Sequence, residues 1–388
     1  MSINLVRMRF AAVAAKIETV PGTDSIGGTP ANTDYLAADC EVDFDPVVVD
    51  NPELTGTLDK APSIVGGLRP RIRLKVPLRG SGTAGTAPEW GKLMRCCTMS
   101  ETITTPAVGA PSACTAGTTT TLTLNAIFPA TDQKFRGMPL LLSGDRSILT
   151  GITDYTVGRI ATIGETLATA GTVSTLAQIP INVLYSPTSD ESTYKTCTIY
   201  FYADGFQWKF TGVQGSWSIE LTTGGMGYLT FDLRGQMAGF AAVAIPTGWN
   251  TVIRPTPPRF VGGRCQLNQT LAQSRRIVLD LGVQVVLPDN PESTEGYDPA
   301  VPMMRDTKGS IDPYMNTTSS VALYNAFRNG TPMPLMAQVG SAAGNRFLLI
   351  APAARATGFK PSVRDGLGQH DIGFETDGAD SDAFLCQF

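Results

Sequence analysis

The side chains that could run a reaction or hold a metal are few in this chain, and their spacing fails the common chemistries. His370 is the single histidine among 388 residues, so any imidazole base or histidine metal site would have to use that ring. It sits beside Asp371 in an alternating stretch. Neighbouring strand residues point to opposite faces, which makes the two a poor acid–base pair and leaves His370 an ordinary strand residue. The cysteines are Cys40, Cys96, Cys97, Cys114, Cys197, Cys265 and Cys386. Their number is odd and no Cys-x-x-Cys occurs, so we expect reduced, mostly buried thiols rather than a zinc site or a disulfide framework. No serine stands in Gly-x-Ser-x-Gly. Asp377, Asp380 and Asp382 lack the ligand spacing and the anchoring glutamate of a calcium loop. Gly80-Ser-Gly82-Thr-Ala-Gly85 has the letters of a dinucleotide loop. The strand before it alternates with arginine, though, and no βαβ unit follows, so a flexible loop is the better reading. No cofactor, catalytic centre or metal site is expected.

Charge gives a clearer pattern. Charged residues make up 16% of the chain, against roughly 25% in an ordinary soluble domain, and the net charge of −4 excludes the basic field of a dedicated DNA binder. Asp39, Glu41, Asp43 and Asp45 alternate with Cys40, Val42 and Phe44, which sets four carboxylates on one strand face. As a calcium loop the stretch fails, with Phe44 where glycine is needed and Asp50 in place of the closing glutamate. As a catalytic pair it has neither a flanking cleft nor a partner acid. Two readings stay open. One is a solvated acidic face; the other is a face that lines a channel or meets the cationic stripe Arg69, Arg71, Arg73 and Lys75. Four like charges in a row repel unless water or opposite charge lies near.

The elements that must carry these residues are mostly strands. Period-two alternation runs through 71–79, 197–202, 216–221 and 229–234, and Asp204-Gly205 offers a tight hairpin turn. Two segments read as helix. Trp90, Leu93, Met94 and Cys97 form one apolar stripe after Pro88, and Ser319 to Asn329 ends at Gly330. The order strand, helix, hairpin, Gly-x-Gly turn and strand occurs twice. It runs first through 71–79, 88–97, 196–210 and Gly225-Met226-Gly227. It runs again through 276–286, 319–329, 333–351 and Gly366-Leu367-Gly368. The Thr-, Ala- and Gly-rich stretch 107–190 interrupts the first copy and reads as an inserted, surface-displayed β domain. The fold expected is all-β: two tandem β-sandwich or barrel modules, each with one short packed helix, plus the small insert. The first module is discontinuous, 1–106 with 191–250, and the second spans 251–388. Arg7 and Arg9 precede an apolar run of only six residues, closed by Lys16 and Glu18, so no leader peptide is expected there. The uncharged window 235–253 is broken by Pro246, Gly248 and Asn250, so no membrane insertion is expected.

Several stretches resemble the tail tube (major tail) proteins of long-tailed, siphovirus-type bacteriophages. They are Lys16-Ile-Glu18-Thr-Val-Pro-Gly22-Thr23, Gly80 through Cys97, Thr198 through Phe231, and Lys308-Gly-Ser-Ile-Asp312. The resemblance covers most of the chain outside 107–190, which shorter members lack. It implies tail-tube-like modules in a structural virion protein of the tail, assembled in the host cytoplasm. Its subunits form stacked rings around a hollow conduit for DNA, with inner strands continuing from subunit to subunit as a closed barrel. The partners implied are further copies of the chain, the tape-measure protein and transient double-stranded DNA in the lumen, and the tail terminator and distal tail proteins. A duplicated chain would close as a homotrimer with pseudo-sixfold symmetry, with a homohexamer as the alternative. A DNA channel must not bind its cargo, because each phosphate paired to Lys or Arg adds affinity. Asp39, Glu41, Asp43 and Asp45 are therefore the candidates for the lumen. Arg69, Arg71, Arg73 and Lys75 are the candidates for an inter-strand or inter-subunit stripe. A capsid- or tail-decorating or adhesive β protein would share the composition without forming a tube. A carbohydrate-active enzyme would need a carboxylate pair across a cleft, which the sequence does not offer.

Overall fold

The computed structural model describes residues 6–249 and 252–388. The expected boundary between 250 and 251 lies outside the described residues. Strands take 50% of the chain and helices 5%, so the all-β expectation holds. Five strands and one helix recur in the same order in two sets. The first set is β1 (Asp39–Val49), β2 (Ile64–Pro77), α1 (Gly91–Arg95), β3 (Cys197–Ala203), β4 (Phe206–Thr222) and β5 (Tyr228–Ala241). The second is β6 (Ser274–Asp280), β7 (Lys308–Pro313), α2 (Ser320–Asn329), β8 (Met333–Val339), β9 (Phe347–Arg364) and β10 (Leu367–Thr376).

Eight of these strands form one antiparallel run in the order β1–β2–β5–β4–β6–β7–β10–β9. The four strands of each set keep the same order, and the β4–β6 pairing joins the sets. The structure includes a half-barrel. β4 and β9 are long enough to serve two neighbours. Their first halves pair with β3 and β8, and their second halves carry the eight-strand run. Alternation explains which face is buried. Ile72, Leu74, Val76, Trp217, Ile219, Phe231, Ile277 and Leu279 all point into one core and are almost wholly shielded from solvent.

Local sequence accounts for most boundaries. The β3–β4 hairpin turns at Asp204-Gly205, both with positive φ, and α2 stops at Gly330 in the left-handed region. α1 is shorter than the expected 88–97, because Pro88 and Cys96 lie in turns on either side of a single helical turn and a half. Lys92 holds it in place, its Nζ donating to the carbonyls of Ala15 (2.9 Å) and Thr33 (2.8 Å). The expected strand 276–286 is broken after Asp280, and Val283–Val286 instead pairs with Val301–Arg305 as a separate hairpin.

Three expectations are corrected. Cys96 and Cys197 are joined by a disulfide across 101 residues of sequence, which no local spacing could have signalled, whereas Cys97, Cys114, Cys265 and Cys386 are free and buried. The Gly80–Gly85 loop is not free. Gly80 N donates to Asn345 Oδ1 (2.8 Å) and Gly82 N to Gly344 O (3.1 Å), and a Cβ on Gly80 would collide with the Gly344 carbonyl. The interrupting stretch forms its own seven-stranded sheet between residues 108 and 179, but it does not stand apart. Its apolar side merges with Met336, Leu348, Ile350 and Phe384 in one buried cluster, and Gly151 leaves room for these side chains: a Cβ there would lie 2.5 Å from Ile350 Cδ1. The flanking strands Met99–Thr104 and Asn182–Pro187 pair with each other, and Phe384–Gln387 ties the latter to β9.

Candidate functional site

The side of the eight-strand run that faces away from the core is polar along its whole width. In β1 the odd positions Asp39, Glu41, Asp43 and Asp45 point out, while Cys40, Val42 and Phe44 pack against the core. In β2 the odd positions Arg69, Arg71, Arg73 and Lys75 do the same. The β1–β2 register brings the two runs together residue by residue: Asp39 lies opposite Lys75, Glu41 opposite Arg73, Asp43 opposite Arg71 and Asp45 opposite Arg69. Arg69 reaches Asp45 at 2.9 Å.

The pattern continues inward from β2. Its next neighbour, β5, sets Thr230 opposite Lys75 and Asp232 opposite Arg73. Arg71 turns diagonally to Asp232, its Nε 2.8 Å from Oδ1, and this hydrogen bond holds the guanidinium pKa above its usual value. Lys75 Nζ lies 4.5 Å from the centre of the Tyr228 ring. Ser216, Ser218 and Glu220 of β4 follow, and Arg276 of β6 meets Glu220 at 2.7 Å. Beyond β6 come Lys308 and Asp312 of β7, Asp371 and Glu375 of β10, and Lys360 and Arg364 of β9. Arg364 reaches Asp312 at 2.6 Å and Tyr314 Oη at 3.1 Å. Both signs of charge therefore occur along the face, with Arg234 of β5 opposite Arg71 as a like-charge pair and Val278 the one apolar outward position of β6. A groove of about 520 Å³ lies on this face, lined by Arg71, Arg73, Ser216, Asp232 and Asp280 and walled by Val283 and Val285 of the separate hairpin.

The energetic weight of these pairs is small. The Arg71–Asp232 and Arg276–Glu220 pairs have side chains about half exposed, and such pairs contribute roughly 0–1 kcal/mol. Their effect is on the field of the face. A cation flanked by carboxylates offers less net potential to a polyanion than one standing alone. Cys40 lies between Asp39 and Glu41, and burial with those two charges pushes its thiol up to about 12, which keeps it protonated near neutral pH.

The other groups weighed in the sequence are held in structural contacts. His370 is buried on β10, its Nε2 2.9 Å from Ser320 Oγ and its ring 4.5 Å from that of Phe359, with Asp371 on the opposite face. Asp380 and Asp382 both pair with Arg305, the latter at 3.3 Å, and Asp377 pairs with Arg355. Among the described residues no group of three or more His, Cys, Asp or Glu side chains could hold a metal ion. No helix of the described residues is long and apolar enough to cross a membrane.

Charge runs pointed to β1 and β2 but missed Glu220, Asp232, Arg276, Asp280, Asp312 and Lys360. These are scattered charges, one or two to a strand, and they join the face only once β5, β4, β6, β7 and β9 lie side by side. Their shared outward parity was the one available signal. Compared with known proteins, the sequence matches the family model for phage tail tube proteins over residues 11–375. No curated protein matches it.

Proposed function

The chain belongs to the phage tail tube protein family, and on that premise we propose that its eight-strand run is one segment of a closed inner barrel that lines a conduit for DNA. It is a structural protein of the virion tail. The observation that carries the reading is the unbroken polar face, in which every cation of β2 has a carboxylate opposite or diagonal to it. Such a wall attracts water and ions without gripping phosphate, as rapid passage of DNA requires. Barrel closure also removes the edges of so wide a sheet.

In this reading the two sets of strands are tail-tube modules, 1–106 with 191–250 and 251–388, and 107–190 is an inserted domain on the outside. Three copies would close a ring of twenty-four strands with pseudo-sixfold symmetry, and rings would stack into the tube. A homohexamer is the alternative. The lumen would hold the tape-measure protein before DNA, with the tail terminator and distal tail proteins at the two ends, and assembly would take place in the host cytoplasm. Negative-stain microscopy of the purified protein tests the proposal. Stacked rings with a central hole are expected, whereas isolated globules at every concentration would favour a decorating or adhesive role.

A further inference from the structure

The junction between the two halves of the chain is a template for the junction between copies. Within the chain, the second half of β4 pairs with β6: Ser218 opposite Asp280, Ile219 opposite Leu279, Glu220 opposite Val278, Leu221 opposite Ile277 and Thr222 opposite Arg276. The counterpart of β4 is β9, and the counterpart of β6 is β1. Among the described residues, no strand of the chain covers β9 over 355–364 on the side away from β10, and none covers β1 on the side away from β2.

The repeat fixes which residues correspond. The turns Gly225-Met226-Gly227 and Gly366-Leu367-Gly368 align Leu229 with His370 and Phe231 with Ile372. Ile219 lies opposite Leu229, and Pro361 opposite His370, so Ser218, Ile219 and Thr222 correspond to Lys360, Pro361 and Arg364. Leu74 lies opposite Phe231, and Ile311 opposite Ile372. Cys40 lies opposite Leu74, and Ile277 opposite Ile311. Asp39, Cys40 and Asp43 therefore correspond to Arg276, Ile277 and Asp280.

We propose that β9 of one copy adds antiparallel to β1 of a second copy in this register, with Lys360 opposite Asp43, Val363 opposite Cys40 and Arg364 opposite Asp39. The inference rests on the tube reading and deepens it by naming the edges and their alignment. Two features of the chain agree with it. The two outward-facing end pairs join a cation to a carboxylate, both sides being derived from the repeat and not from charge. Val363, 76% exposed in the single chain, falls on the core side with Cys40 and gains cover there. Pro361 has no N–H to offer, so the new ladder has one donor fewer than the β4–β6 ladder it copies.

A second contact follows from the same symmetry. The hairpin of the second half, Val283–Val286 with Val301–Arg305, continues into a loop that lies against the first half. Leu68 N donates to Glu295 Oε2 (3.2 Å), Gln236 Nε2 to Tyr297 O (2.6 Å) and Ala300 N to Gly212 O (2.9 Å). Its counterpart is the end of the β1–β2 hairpin. That end leaves Val48, Val49, Ile64 and Val65 between 54% and 64% exposed, and it would lie in the same way across the second half of the neighbouring copy.

The test is carbodiimide cross-linking of rings assembled from mixed ¹⁴N- and ¹⁵N-labelled full-length chain, read by mass spectrometry, with ring formation followed by microscopy. A Lys360–Asp43 isopeptide between differently labelled copies is expected. Rings that lack it, or that carry it only within single chains, overturn the junction and leave the tube reading standing. Failure to form rings under any condition overturns both. Charge reversal gives a second readout. Lys360→Glu should lower ring yield several-fold, and adding Asp43→Lys should restore it. Equal yields in the single and double variants would overturn the register.

Discussion

Single residues on the polar face matter for field rather than for fold. Changing Asp39, Glu41, Asp43 and Asp45 together to Asn and Gln removes four exposed charges whose pairs are worth roughly 0–1 kcal/mol each, so folding should survive, while tube yield should drop because Asp39 and Asp43 also face Arg364 and Lys360 of the neighbouring copy in the proposed junction. Microscopy checks assembly, and complete loss of tubes from a chain that still folds would show that the run does more than line the lumen. The same variant leaves the β2 cations uncompensated, and DNA retention on the tubes should rise and fall off with salt. Glu18 is the contrasting case. It is buried, and its carboxylate accepts from Gly22 N (2.8 Å), Thr196 Oγ1 (2.7 Å), Thr198 Oγ1 (2.9 Å) and Gly212 N (2.8 Å). Glu18→Ala leaves those donors unpaired and should cost roughly 3 kcal/mol or more, read as a drop in melting temperature. Burial holds the His370 pKa below its ordinary value, so the ring is neutral in the folded chain. The unfolded chain then takes up a proton more readily. Stability from this group is full above the usual histidine range and falls as pH drops through it. His370→Gln should flatten the loss of melting temperature between about pH 7 and 5.

At the scale of elements, the strands were legible wherever one face was apolar and the other polar, as in Ile72, Leu74 and Val76 against Arg71, Arg73 and Lys75. The α2 stop and the β3–β4 turn were legible because glycine at positive φ marks both. What could not be read was anything set by contact between distant segments. The disulfide of Cys96 with Cys197, the grip of Asn345 on the Gly80 loop, and the other members of the charged face all depend on strands meeting across the fold. The insert is the plainest example. Its composition suggested an inserted, surface-displayed module, and what composition could not show is that its core runs into Met336, Leu348, Ile350 and Phe384. Replacing 105–181 by a short turn should be geometrically possible, since Thr104 lies opposite Asn182. It would also strip cover from those four side chains. The expected outcome is a protein that aggregates on expression, and a soluble, monodisperse deletion would show that the insert is dispensable for folding.

For the whole molecule, the two sets of four strands keep one order and one polar face, and the proposed count of three copies per ring rests on that. Native mass spectrometry of detergent- or salt-released rings should give three chains; six chains would require each copy to occupy half the arc proposed above. The β4–β6 pairing has a kinetic consequence. A ring built from single modules must form every one of its joints by bimolecular encounter. In the proposed ring each alternate joint would be closed by the polypeptide itself, at an effective concentration in about the millimolar range that short tethers give. Assembly should therefore depend on protein concentration to a lower power than in an unfused relative, and rings should survive dilution further. The halves are also freed from being identical, so that one can carry a bulky insert while the other presents a plain surface.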